Sequence, residues 1–282
     1  MIRVILTVVV CLSIGTAVQA DGIAYRLPPD GTWVVYQIRC TEFPEMVRFR
    51  VGNDKKKVEE KIDLDELEKK LPADWEDLFL VRSVGRVEKS GEPCRWIELV
   101  NNPKEENEDK PKERVVVLKL LIPEKHFAPG QDPFAHVQKM YMRDRRPDEQ
   151  FGVVDVRDAD RQKYELDRFR SLFPVPPKQA KRTQVAGRKT ALGTVNGYEL
   201  EFDYGFEGKL HEGKHGRNSV KGHFKVFVSD DAPFGIAEMH EAGIASIEES
   251  ADGSGNRTTG GKGWMEVKKS GTGAKSGLPD NQ

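Results

Sequence analysis

After its first twenty residues the chain has no long apolar run, few cysteines and no excess of charge of either sign. Lys and Arg number 45 and Asp and Glu number 46, so bulk charge gives no reason to expect a nucleic-acid partner. No later segment reaches the roughly 20 apolar residues that a spanning helix needs, so we predict no membrane span in the mature chain. G-x-S-x-G, phosphate-binding glycine loops and C-x-x-C pairs are also missing. We therefore predict a non-catalytic protein without a cofactor.

The apolar stretch at the N-terminus predicts a secretory signal peptide over residues 1–20. Arg3 gives it a positive start, Val4–Val10 begins an apolar region, and Val18-Gln19-Ala20 is a small-residue cleavage site. A membrane anchor is the weaker interpretation, because the apolar run is too short to span a bilayer. We expect an exported protein, periplasmic or extracellular.

Two cysteines, Cys40 and Cys94, follow the predicted cleavage site. In an exported chain an even pair favours one disulfide, so we predict a Cys40–Cys94 bond. Two free, buried thiols are the alternative that the sequence leaves open.

The segment Arg114–Ile122 (RVVVLKLLI) is the one nearly unbroken apolar run of the mature chain. Its length and its Val and Ile content predict a central strand of an antiparallel sheet. Val116 to Ile122 in steps of two would face the core. Val115, Val117 and Leu121 would lie on the other face, which therefore also needs a cover.

Alternating apolar and polar residues predict further strands on both sides of this segment. Leu78–Val87 and Cys94–Val100 form a strand pair around Ser90-Gly91. Asn196-Gly197, between two alternating stretches, is a strong signal for a two-residue hairpin turn.

Three segments predict helices. Asp63 begins a short one with a capping box, Asp132-Pro133 begins a second that runs to about Arg143, and Asp160–Phe173 is the third. The last two have apolar faces that would cover the sheet and could leave an apolar groove beside it. The candidate binding residues of that groove are Phe134, Val137, Tyr141, Leu166, Phe169 and Phe173.

The predicted fold is mainly β (α+β): a curved antiparallel sheet or half-barrel of about 8–11 strands, covered by two to three helices. Residues 21–269 would form a single β-rich domain, and residues 270–282 a disordered tail.

The sequence His211-Glu212-Gly213-Lys214-His215 fits the H-E-x-x-H signature of zinc metalloproteases. That chemistry needs a helix, which places both imidazoles on one face with the glutamate above the metal-bound water. Here glycines surround the motif, no apolar face is present, and two predicted strands flank it. We predict a polar loop and no metal site; adventitious metal binding by His211 and His215, or a metallohydrolase, are the alternatives.

The stretches LPPDGTWVVY, CRWIELV, VVVLKLLIPEKHF and SDDAPFGIAEMHEAG resemble uncharacterised exported bacterial proteins. At fold level they are similar to the periplasmic lipoprotein-carrier (LolA-like) half-barrel, a curved antiparallel sheet with helices in its concave face. The resemblance implies lipophilic cargo and no catalytic residues. Charged insertions and helices in mid-chain are departures from that pattern.

Three functions follow. The first is an exported, non-catalytic binding or envelope-scaffold protein with a lipid or an envelope protein as partner. The second is a periplasmic carrier of a lipophilic ligand in the concave face, which an apolar cavity would favour and a filled core would disfavour. The third is a metallohydrolase through the HEGKH stretch.

Overall fold

The computed structural model describes residues 26–42, 77–108, 111–127, 131–147, 149–150, 152–170, 175–177, 179–209, 216–249 and 257–278. The predicted signal peptide, the predicted helix that begins at Asp63, the HEGKH stretch and Phe173 lie outside these ranges. The side chains of Cys40 and Phe169 are also outside the description.

The described residues form one antiparallel sheet that is not closed. In chain order its strands are β1 (Trp33–Glu42), β2 (Asp77–Lys89), β3 (Glu92–Asn101), β4 (Val115–Pro123), β5 (Lys139–Arg146), β6 (Glu149–Gln150), β7 (Val154–Asp155), β8 (Lys181–Thr190), β9 (Gly193–Lys209), β10 (Gly216–Val228), β11 (Ile236–Glu249) and β12 (Arg257–Gly271).

The strand order across the sheet is β6-β5-β4-β3-β2-β1-β12-β11-β10-β9-β8, and β7 pairs with β5 beside β6. Each half is a meander of neighbours in sequence, and the two halves join where β1 pairs with β12. β7 and β8 therefore lie at opposite edges of the sheet. The connection between them carries the helix α1 (Ala159–Arg170), which places Leu166 in the core.

One face of the sheet, called the inner face here, carries the main apolar core. This core draws side chains from β1 to β5 and from β9 to β12, together with Leu166 and Phe134 from the connections. The alternation of apolar and polar residues explains why this core lies on one face. Apolar residues recur at alternate positions of these strands, and such positions point to the same side of the sheet. The sheet is thus a single packed unit across the β1–β12 pairing.

The central strand is β4, as predicted, and all nine of its residues are buried. Val116, Leu118, Leu120 and Ile122 lie in the inner-face core. Val115 and Val117 belong to a second apolar cluster on the opposite, outer face. The prediction that this second face needs a cover is confirmed, since both residues are 0 % exposed.

The cover of that outer face includes the segment 272–278, which we call the C-terminal strap. Its Leu278 is 2 % exposed and packs into the outer-face cluster. The Gly277 N–H donates to a Glu98 carboxylate oxygen at 3.0 Å, and Arg143 donates to the Gly277 carbonyl at 3.0 Å. The predicted disordered tail is therefore wrong for residues 270–278; residues 279–282 lie outside the description.

Buried charges fix the path of the strap. Glu98 is 0 % exposed and pairs with Arg82 at 2.6 Å, and Arg82 also pairs with Glu106 at 2.5 Å. Ser276 donates its hydroxyl to Glu98. Buried ion pairs add little net stability because desolvation offsets their attraction. They do define one geometry, because a strap placed elsewhere would deprive the buried Glu98 of the hydrogen bonds from Ser276 and Gly277.

The helix prediction is right for one segment and wrong for another. α1 confirms the helix expected from Asp160. From Asp132 the chain makes only one 3-10 turn, Pro133–His136, and then enters the strand β5. The capping prediction itself was sound, because Asp132 accepts a hydrogen bond from the Phe134 N–H at 2.9 Å. The described residues thus contain one short α-helix, where the sequence predicted two to three.

The expected hairpin turn at Asn196-Gly197 is also wrong. Both residues lie inside β9, and the turn to β8 is at Ala191-Leu192. Asn196 instead accepts a hydrogen bond from the Gly187 N–H at 2.9 Å, at a bulge in the β8–β9 register.

The predicted Cys40–Cys94 disulfide is wrong, and Cys94 is a free, buried thiol. In the strand register Arg82 of β2 lies opposite Trp33 of β1 and opposite Glu98 of β3. Trp33 and Glu98 therefore lie at the same level of the sheet. Cys40 lies seven residues beyond that level and Cys94 four residues before it, in strands that run in the same direction. At about 3.3 Å per residue their separation is roughly 35 Å, whereas a disulfide needs Cα atoms within about 7 Å.

Among the described residues, no helix is both long enough and apolar enough to cross a membrane.

Candidate functional site

The residues predicted to line an apolar groove do not come together as one site. Phe134 and Leu166 are buried in the inner-face core, with Val137 packed against it. Tyr141 points to the other face, where it stacks on Trp96 with ring centroids 5.8 Å apart. The Phe169 side chain and Phe173 lie outside the described residues.

The centre of the inner face is packed. Val34, Leu118, Leu120, Met140 and Val226 are each 0 % exposed. A cavity that could hold a water molecule would leave exposed area on the side chains around it, so no such cavity borders these five residues. The centre of the inner face is filled in the way that a protein core is filled.

The HEGKH stretch lies outside the description, but the strands that flank it are described. β9 and β10 are antiparallel neighbours whose last registered pair is Lys209 with Arg217. Within the part of the chain that the structure describes, no group of three or more His, Cys, Asp or Glu side chains is arranged to hold a metal ion.

The outer face of the second half of the sheet carries an open depression of about 550 Å³. It lies across β8 to β12, and its lining is polar apart from Ala242 and one large aromatic side chain. The lining includes Arg188, Glu199, Lys225, Glu238, His240 and Trp264. All except Arg188 occupy alternate positions on strands whose other positions form the inner-face core, so the fold holds them on the outer surface.

An ion-pair network holds one side of this depression. Arg188 spans Glu199 and Glu238, at 3.0 and 3.2 Å, and lies 4.5 Å above the ring of Phe227. Lys225 also pairs with Glu199, at 3.0 Å. Burial would raise the pKa of Glu199, but the hydrogen bonds from Lys225 and Arg188 outweigh it and hold that pKa below its usual value. The carboxylate is therefore charged and fixed at neutral pH.

Trp264 and His240 face each other across β11 and β12 as a register pair. Trp264 is half-buried and His240 is exposed. Among the described residues, neither the Trp264 indole N–H nor the His240 ring has a hydrogen-bond or ring partner. By comparison, Trp33 donates to the Thr272 carbonyl at 3.3 Å, and Trp96 stacks on Tyr141. Tryptophan N–H groups usually find a partner when buried. Within the described part of the chain the Trp264 indole N–H has none, so it is available to bind a ligand.

His223 lies at the end of the depression between two acids on β9. Its ring nitrogens approach Asp203 at 2.7 Å and Glu201 at 3.3 Å. Together with Lys225 and Glu199 it gives the outer face of β9 and β10 a nearly complete set of opposite-charge neighbours.

Two other titratable clusters are present among the described residues, and the first shares Glu241 with the lining of the depression. On the inner face the Tyr204 hydroxyl donates to Glu241 at 2.6 Å, and burial raises the pKa of that carboxyl. In the connection between β4 and β5, His126 and His136 stack with ring centroids 3.5 Å apart and planes 6° apart. Burial, and after it the neighbouring His126, lower the pKa of His136.

Sequence reasoning missed the depression because its residues come from separate strands. The available signal was the polar phase of the alternating strands, read together with strand order. Without that order nothing joins Arg188 to Trp264.

No protein-family model matches the chain, and no curated protein is significantly similar to it. The geometry alone therefore carries any functional assignment.

Proposed function

We propose that the protein is an exported, non-catalytic binding module that uses its filled half-barrel sheet as a rigid support. In this proposal the ligand or envelope partner meets the outer face of β9 to β12, at the depression around Trp264. The supporting observation is the contrast between the two faces. The inner-face centre is packed, while the outer depression presents a fixed network of paired charges beside Trp264 and His240, which have no hydrogen-bond or ring partner among the described residues.

The packing of the inner face favours this function over lipid carriage. An acyl chain in the inner face would have to displace side chains such as Leu118 and Met140, which are 0 % exposed. Opening a packed core forfeits its apolar burial, at about 25 cal/mol per Å², before the ligand contributes any contact. A carrier would be expected to keep part of that space open.

A native mass spectrum of protein purified from its own host tests the choice between the two functions. We expect no co-purified acyl-chain mass and no saturable binding of a fluorescent fatty acid at tens of micromolar. A stoichiometric lipid mass would overturn the proposal in favour of the carrier.

Hydrogen exchange locates the binding face. With a cell-envelope extract of the host present, we expect added protection in peptides of β10 to β12 and none in β4. Protection confined to β4, or no protection anywhere, would contradict the proposal.

A further inference from the structure

We infer that the depression on the outer face is a binding site for a neutral glycan, with Trp264 as the platform on which a sugar ring stacks. This inference rests on the proposed function and adds the chemical class of the ligand.

The first argument is charge balance. Arg188 and Lys225 are the cations nearest the centre of the network, and both are already paired with Glu199. Glu238 is paired with Arg188 in turn. A site for a phosphate or another anion would present unpaired cations, and a site for a cation would present unpaired carboxylates. Lys262, the other lysine of the lining, also has an interaction of its own. The described lining therefore offers neither, and it has no unpaired charge with which to select an ionic ligand.

The second argument is hydrogen-bonding capacity. A guanidinium has five N–H donors, and a carboxylate accepts at about four lone-pair positions. The ion pairs of Arg188 and Glu199 use only part of that capacity. They also fix planar donor and acceptor groups side by side, which suits the adjacent hydroxyls of a sugar, because each hydroxyl both donates and accepts. Fixed groups lose little entropy when a ligand binds.

The third argument is the aromatic platform. The C–H face of a sugar ring is weakly apolar and packs on the π-face of an aromatic side chain. Trp264 is half-buried beside His240, and neither side chain has a partner among the described residues. The indole N–H and the imidazole then remain available for hydroxyls at the rim of the same ring.

The shape agrees with this class of ligand. A space of about 550 Å³ falls within the size range of ligand sites. It is open to solvent and lies along a sheet face, so a short stretch of a longer chain can enter and leave at both ends. An enclosed apolar pocket, which a lipophilic small molecule would require, is not what these strands form.

The test compares the native protein with Trp264→Ala, Trp264→Phe and His240→Ala on an array of neutral glycans, followed by titration of the best oligosaccharide. We expect saturable binding that weakens at least about tenfold in Trp264→Ala. Trp264→Phe should keep more affinity than Trp264→Ala, because an aromatic face remains, although it is smaller and the N–H is lost. His240→Ala should weaken binding by a smaller factor.

The matched control is Trp33→Phe, which changes a tryptophan of the same sheet whose N–H already has a partner. It should bind as the native protein does, and circular dichroism should show that every variant is folded. No binding to any neutral glycan, or equal binding by a folded Trp264→Ala, would overturn the inference. So would saturable binding of inorganic phosphate at the depression. Envelope-extract protection of β10 to β12 without glycan binding would leave the proposed function standing and reject the ligand class alone.

Discussion

At the scale of single residues, Gly197 shows how a sequence signal can serve a different purpose from the expected one. Asn-Gly is the usual pair for a two-residue turn. Here a Cβ at Gly197 would meet the carbonyl oxygen of Val228 and the ring of Phe227. The glycine is required for close approach between backbones and not for a turn.

We therefore predict that Gly197→Ala destabilises the protein by about 2 kcal/mol, because backbone atoms cannot move aside as a flexible side chain can. Urea unfolding followed by tryptophan fluorescence measures the change. Gly152→Ala is the control, since no atom lies within 4 Å of the added Cβ there. Equal effects of the two substitutions would show that the close approach at Gly197 is unimportant.

The stacked rings of His126 and His136 make stability depend on pH. Because the folded-state pKa of His136 is lowered, by burial and then by His126, the unfolded chain binds the proton more readily. The contribution of His136 to the free energy of unfolding is thus fully present above about pH 6.5, the pKa of a histidine in the unfolded chain. It is lost as the pH drops below that value. The charges that face the pair are Lys125 and Asp132, and Gln131 holds the ring of His126.

We expect the urea midpoint of the native protein to fall between pH 7.5 and pH 5.5, and to fall less in His136→Gln. Carboxyl groups with lowered pKa values, such as Asp144 and Glu199, lose their contribution only at lower pH. Glu241 and Asp77 have raised pKa values and are unchanged in both proteins, so the difference between the native protein and His136→Gln isolates the contribution of the histidine. His223→Gln serves as a control elsewhere on the sheet. An unchanged pH dependence in His136→Gln would contradict the prediction.

At the scale of elements, the clearest test concerns the C-terminal strap. We predict that Leu278→Ala costs about 2–4 kcal/mol, the usual range for a buried leucine, since Leu278 packs among Val35, Leu78 and Val117. Lys275→Ala, at an exposed position, should cost less than about 0.5 kcal/mol. Thermal unfolding measures both. A neutral Leu278→Ala would show that the strap is not docked in solution.

Elements were predictable where local chemistry was unambiguous. β4 is apolar at nearly every position, so no other element type suited it. Ser90 and Gly91 both adopt positive φ, 55° and 76°, as the expected two-residue turn requires, and β2 and β3 pair around them as predicted.

The segment after Asp132 was ambiguous, because it carries two periodicities. Phe134, Val137 and Tyr141 have helical spacing, while Met140 and Met142 alternate with Tyr141. Tertiary context decided between them: β4 needs a hydrogen-bonded neighbour on its free side, and β5 supplies it from Lys139 to Arg145. The strap was missed for a related reason. Its composition is that of a loose tail, and only the buried charge of Glu98 gives it a fixed place.

At the scale of the whole molecule, strand register predicts the state of the cysteines. We expect a thiol titration of unfolded, unreduced protein that lacks residues 1–20, and with them Cys11, to give two reactive groups per chain, because Cys40 and Cys94 lie at opposite ends of their strands. Peptide mapping without reduction would confirm that no fragment joins them. A linked fragment containing both cysteines would contradict the register of β1, β2 and β3.

A mainly β fold could be predicted from the sequence because alternation is local. The pairing of the strands could not be predicted in the same way, since pairing between strands that are distant in sequence leaves no local signal. The β1–β12 pair is the main case, because it joins the first described strand to the last and so connects the two meanders.

The same pairing has a consequence for how the chain folds. Trp33 on β1 and its hydrogen-bond partner Thr272, just after β12, are 239 residues apart in the sequence. The other long strands of the sheet pair with strands that are their neighbours in sequence. Each meander joins strands that are neighbours in sequence and can form before the other, while the seam between them must wait until β12 has been synthesised. Until then β1 has a bare edge, the kind of surface on which nascent chains associate wrongly. The slowest and most vulnerable step of folding therefore lies in the middle of the finished sheet.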